Sequence, residues 1–150
     1  MPKVITCVLF RPTSSGTLVT LSDFTLDEEE SKTVALPSVS DIRQMITERG
    51  RLHFDNKDSI KLDQHICHFS VITGAPCPLI YACVCEPSFS PEQASIFLDA
   101  LQGPVVNDAS LLPRLSSAGD YQLQQDIGPK FAYLMVSLTK LFFPFIESLY

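Results

Sequence analysis

Apolar positions along this chain fall into blocks whose spacing changes from one block to the next. Val4 to Phe10 and Thr17 to Phe24 are short runs rich in β-branched and apolar residues. The link between them, Arg11-Pro12-Thr13-Ser14-Ser15-Gly16, is turn chemistry, so the two predict an amino-terminal β-hairpin. Asp27-Glu28-Glu29-Glu30-Ser31-Lys32 is an acidic run and reads as a solvated loop. Val39, Ile42, Met45 and Ile46 then recur at helical spacing and predict a short helix, capped by Ser38 or Ser40 and ended by Gly50. Arg51 to Asp63 is polar and mixed and reads as a connection into a strand from about Gln64 to Ile72. Thr73 to Pro78 reverses the chain into Leu79-Ile80-Tyr81-Ala82-Cys83-Val84-Cys85. Unbroken apolarity over seven residues is that of a strand covered on both faces, which belongs at the centre of a sheet.

The second half is helical in pattern. Ser90-Pro91-Glu92-Gln93 is a strong helix start: Ser90 can cap, Pro91 suits the first helical position and Gln93 can close a capping box. Ala94, Phe97, Leu98 and Leu101 follow at core spacing, and Gly103-Pro104 predicts the stop. Val105 to Gly119 is a connection long enough to be mobile or to hold one short turn. Asp120 to Ile127 can be helical, Gly128-Pro129 should break or kink it, and Lys130 to Phe143 reads as a long helix. That helix turns Phe131, Leu134, Met135, Leu138, Leu141 and Phe142 towards a core. The order β-β-α-β-β-α-α argues for a single α+β domain over residues 1–150, with helices covering one antiparallel sheet. There is no internal repeat.

A chain of 150 residues that is 45% hydrophobic can bury enough surface to fold without disulfides or metals. The formal net charge of −6, with 11 Lys+Arg against 17 Asp+Glu and no basic run, removes the term that dominates nucleic-acid affinity. Nucleic acid is therefore not an expected partner. Arg11 and Pro12 end the first apolar stretch before a signal-peptide cleavage site could occur, and five cysteines, mostly in apolar segments, suit a reducing cytosol. Phe131 to Ile146 carries Lys140 and Pro144 and is too short for a membrane span, so a soluble, cytoplasmic protein is expected.

Candidate chemistry centres on His65, Cys67, His68, Cys77, Cys83 and Cys85, since thiolates and imidazoles converging from two strands could hold zinc or run a small thiol enzyme. If the hairpin turns near residues 74 to 77, Cys67 falls close to Cys85. The spacings are not those of a zinc knuckle, however, and free cysteine is commonly buried in cores. No nucleophile elbow, P-loop, dinucleotide fingerprint or zinc-protease motif occurs. We therefore expect no metal, no cofactor and no catalysis, with His53 and His68 as strand-edge or surface histidines. An apolar surplus on the first helix, at Ile42, Met45 and Ile46, favours a protein-binding module instead.

The hairpin Val4 to Phe24, the run from His68-Phe69 through Leu79 to Cys85 and on to Phe89, and the helix Ala94-Ser95-Ile96-Phe97-Leu98-Asp99-Ala100-Leu101 together resemble the longin domain, the regulatory module of R-SNAREs and related trafficking proteins. The match is most specific over residues 64 to 101; Arg11 and Ser22-Asp23 are similar to the endoplasmic-reticulum/Golgi branch. The resemblance implies a profilin-like α-β-α sandwich with a five-stranded antiparallel sheet, in the order β-β-α-β-β-β-α-α. The fifth strand would come from Arg51-Leu52-His53-Phe54 or Ser59-Ile60-Lys61-Leu62. It also implies a non-catalytic protein, peripheral to endomembranes, that binds SNARE motifs, coat adaptors or tethering subunits in vesicle-mediated transport. The implied groove would use Ile42, Met45 and Ile46 on the helix with Ile66 and His68 on the neighbouring strand. In a longin-fold subunit of a tethering or adaptor complex, Leu141, Phe142, Phe143 and Phe145 would form a second interface. No heptad SNARE motif and no membrane anchor is seen in the 150 residues, so the chain is expected to be a SNARE fragment or a free-standing longin, with membrane association indirect or through a missing carboxy-terminal anchor.

Overall fold

The computed structural model describes residues 4–26, 36–74 and 76–137. Alternating burial builds the sheet. Strands β1 (Val4–Pro12) and β2 (Leu18–Thr25) form the expected hairpin, closed at Thr13 to Thr17, where Gly16 supplies the left-handed residue with φ of 86°. The register shifts after Leu9, so Leu21 is the extra residue of a bulge, fully buried beneath the later helices. Helix α1 (Val39–Arg49) starts at a capping box between Ser38 and Asp41 and ends on Gly50, which adopts φ of 75° where a side chain would be strained. Strands β3 (Asn56–Lys61), β4 (Ile66–Ile72) and β5 (Leu79–Cys85) complete one antiparallel sheet in the order β2-β1-β5-β4-β3. The central place expected for Leu79–Cys85 is the one observed.

Two apolar layers result. Ile80, Ala82 and Val84 of β5 face α1, packing with Val8, Phe10, Phe69 and Val71 around Ile42 and Ile46. Leu79, Tyr81, Cys83 and Cys85 face the opposite way, beneath α2 (Pro91–Val106), the short helical turn α3 (Leu112–Leu115) and α4 (Gln124–Val136). The protein is thus α+β, with a five-stranded antiparallel sheet carrying helices on both faces.

Four expectations are corrected. Residues 51–63 are not merely a connection: β3 occupies Asn56–Lys61, overlapping the second of the two segments offered for a fifth strand. Its Asn, Lys, Asp and Ser residues hide the strand pattern because an edge strand protects itself with polar side chains. Helix α2 runs past Gly103-Pro104 to Val106, because Leu101 and Val105 are fully buried and the Lys130 ammonium takes the Pro104 carbonyl at 2.9 Å. Gly128 and Pro129 lie inside α4 without ending it: Ile127 and Phe131 are buried on either side while Pro129 faces out. Tertiary packing outweighs the one backbone bond that proline removes. Cys67, finally, pairs with Val84 and shares the α1 face with it, whereas Cys85 faces the other helices.

Of the two alternatives for Val105 to Gly119, the short turn is present. Arg11 at the end of β1 donates to the carbonyls of Leu115 (2.8 Å) and Ala118 (2.6 Å), tying the segment down while Leu111, Leu115 and Ala118 enter the core. Just beyond it the outer edge of β2 is closed by two side chains and one backbone bond. Asp120 accepts from the Thr20 amide (2.9 Å), the Tyr121 amide donates to Thr20 O (2.7 Å), and the Gln124 amide group pairs with both backbone groups of Asp23, at 2.8 and 2.6 Å. Gln124 thereby imitates a sixth strand at one residue.

A groove between the first helix and the β3–β4 turn

Helix α1 crosses the sheet with its buried stripe, Ile42 and Ile46, pointing inwards. The neighbouring positions Asp41, Gln44, Met45 and Glu48 recur at three- and four-residue spacing and therefore share the adjacent flank. That flank faces the turn from β3 to β4, where Leu62 N bonds to His65 O (2.8 Å) and brings Lys61, Leu62, Asp63, Gln64 and His65 opposite the helix. Leu36 and Pro37 close one end. The groove is open to solvent and has a volume of about 800 Å³.

Its floor is apolar and its rim acidic. Met45 and Leu62 are half-buried against the α1-side core. Around them stand three carboxylates, Asp41, Glu48 and Asp63, against the ammonium of Lys61, the one cation lining the groove among the described residues. None of these four charged groups is in an ion pair among the described residues; Asp41 caps the helix and Glu48 accepts from Gln44 (3.0 Å). His65 is 6% exposed, lines the groove, and makes no side-chain hydrogen bond among the described residues.

The five residues offered for a groove are thus separated. Met45 lines it. Ile42 and Ile46 are fully buried in the core and open to no partner. Ile66 and His68 lie on the face of β4 opposite to α1, because Cys67, Phe69 and Val71 are the residues that face the helix and side chains alternate along a strand. Asp41, Glu48, Asp63, Gln44 and Leu62 were not singled out; the spacing 41, 44, 45, 48 beside a buried stripe was the available signal. Leu141, Phe142, Phe143 and Phe145 lie outside the described residues.

The cysteine and histidine set is dispersed. Cys67 faces α1, Cys83 and Cys85 face α2 and α4, and His65 opens to the groove. No group of three or more metal-ligating side chains is gathered among the described residues. The Cys83 thiol is pushed up by its contact with Cys85 at 3.6 Å and by burial; burial likewise raises Cys7 and Cys67. Such thiols are poor nucleophiles. His68, expected at an edge or surface, is buried, because β3 continues the sheet beyond it: its Nδ1 shares a 2.6 Å hydrogen bond with Ser59 on that strand. Burial holds its pKa below the usual histidine range.

No helix among the described residues is long and apolar enough to cross a membrane. No known protein-family model and no curated protein matches the chain.

Proposed function

We propose that the chain is a longin-type interaction module that docks a partner polypeptide in the groove between α1 and the β3–β4 turn, in the service of vesicle-mediated transport. The observation that carries this reading is the groove itself: about 800 Å³, apolar at Met45 and Leu62, polar at the rim, and walled by a helix and a sheet that do not depend on an occupant for their cores. An apolar floor with a polar margin is the layout of a peptide-docking site. The element order, strand pair, helix, three strands, helices, and the helices on both faces of the sheet support the longin assignment. On this reading the protein acts by holding SNARE, coat or tethering polypeptides at endomembranes, including those of the endoplasmic reticulum and Golgi, and breaks no bonds.

The test is site-specific photocrosslinking in cells, with the crosslinker placed at Met45 in the groove and, for comparison, at Glu92 on α2, across the sheet. Capture of SNARE, coat or tether polypeptides from position 45 and not from position 92 is expected. The same set from both positions, or none from position 45, overturns the assignment.

A further inference from the structure

Resting on that reading, we infer that the groove selects a cationic amphipathic segment, one whose apolar side chains fill the floor and whose lysines or arginines meet its rim. Two independent features point there. The first is charge: among the described residues, Asp41, Glu48 and Asp63 line the groove and carry no ion pair, while Lys61 is the one ammonium beside them. Carboxylates held around an apolar floor attract lysine and arginine and repel acidic peptides and anionic lipid headgroups. The second is His65, more than nine-tenths buried, lining the groove, its ring without a hydrogen-bond partner among the described residues. An imidazole that lines the groove and has no partner among the described residues can bond a peptide amide or carbonyl entering it. Met45 and Leu62 supply the apolar anchor beside it.

The partner's chemistry is thus stated without its name: apolar residues on one side, positive charge on the other. Two labelled probe peptides of equal length test it, sharing leucines at i, i+3, i+4 and i+7 and carrying either lysines or glutamates elsewhere. Fluorescence anisotropy with the full chain should show the lysine peptide binding at least about tenfold more tightly, with the gap narrowing as salt rises. Neutralising the rim with Glu48→Gln and Asp63→Asn together should weaken the lysine peptide about fourfold or more, whereas Glu92→Gln and Asp99→Asn together, an equal loss of charge on α2 across the sheet, should not. Loss of the floor by Met45→Gln should weaken both peptides. His65→Phe, which keeps an aromatic ring but no hydrogen-bonding nitrogen, should weaken both as well.

Failure of the charge inference and failure of the groove are distinguishable. If both peptides bind equally, are weakened by Met45→Gln and ignore the rim substitutions, cationic selection is overturned and the groove stands. If Met45→Gln changes neither, the docking site falls with it. Concentration-dependent self-association of the full chain that Met45→Gln abolishes would make a second copy the occupant and would also overturn the inference. Thermal unfolding of each variant separates lost binding from lost folding.

Discussion

Gln124 is the residue on which the edge of the sheet turns. Its amide satisfies Asp23 on both backbone groups and also accepts from the Ser22 hydroxyl at 3.0 Å. Gly128, one helical turn later, makes room for it: a Cβ there would lie 2.9 Å from Gln124 Nε2. Alanine for glycine in a helix is normally worth about 1 kcal/mol of stabilisation. Here Gly128→Ala should instead destabilise by about 1–2 kcal/mol in urea unfolding, since it displaces a side chain pinned by three hydrogen bonds worth about 0.5–1.5 kcal/mol each. In a Gln124→Ala background the same substitution should become neutral or stabilising. Destabilisation of equal size in both backgrounds would remove Gln124 from the explanation.

His68 gives a second prediction at this scale. Facing Ser59 on β3 and Cys83 on β5, it is buried and held neutral, with its pKa lowered in the folded protein. As pH falls below about 6.5, the unfolded chain takes up a proton that the folded chain still refuses, so stability must fall. The contribution is complete above that pH and is lost going down, with a slope of at most about 1.4 kcal/mol per pH unit. His68→Gln should flatten the stability profile below about pH 6.5, where the unfolded histidine takes up its proton. An unchanged slope in that variant would assign the acid sensitivity to other groups.

Among the elements, the caps and the central strand were legible from residues alone, since their causes are local. Ser38, Gly50, Ser90 and Gln93 sit where cap chemistry puts them, and β5 is apolar at every position because both of its faces are covered. Strand β3 and the continuation of α2 and α4 through their prolines were not legible. Each depends on a partner far away in sequence: β4 for the first, Lys130 and the shared core for the second. The segment after α2 is held in the same way, by Arg11. Arg11→Met should lower stability by about 2–3 kcal/mol, the scale of two charge-assisted bonds to backbone carbonyls. It should also speed amide exchange around residues 115–118. Loss of stability with no change in that exchange would place the effect in β1 instead.

At the scale of the molecule, the candidate site is assembled by two separate elements and by neither alone. Helix α1 brings Asp41, Met45 and Glu48, and the β3–β4 turn brings Leu62, Asp63 and His65. Met45 was legible as a groove residue from its helical stripe. Its companions were not, because nothing in the local sequence says that a polar turn will lie against a particular helical flank. His65 stood out only as a possible metal ligand or the base of a thiol enzyme, and the structure sets it in the groove, away from Cys67 and Cys83.

By itself the sequence determined the α+β composition, the hairpin, the helix starts and the buried middle strand, since capping and hydrophobic period act over a few residues. Only the tertiary structure decided which face each strand residue takes, which prolines a helix tolerates and which three carboxylates line one groove. These depend on strand parity and on contacts between distant segments, and a shift of one residue in either would turn Ile66 and His68 towards α1 and the present core-facing residues away.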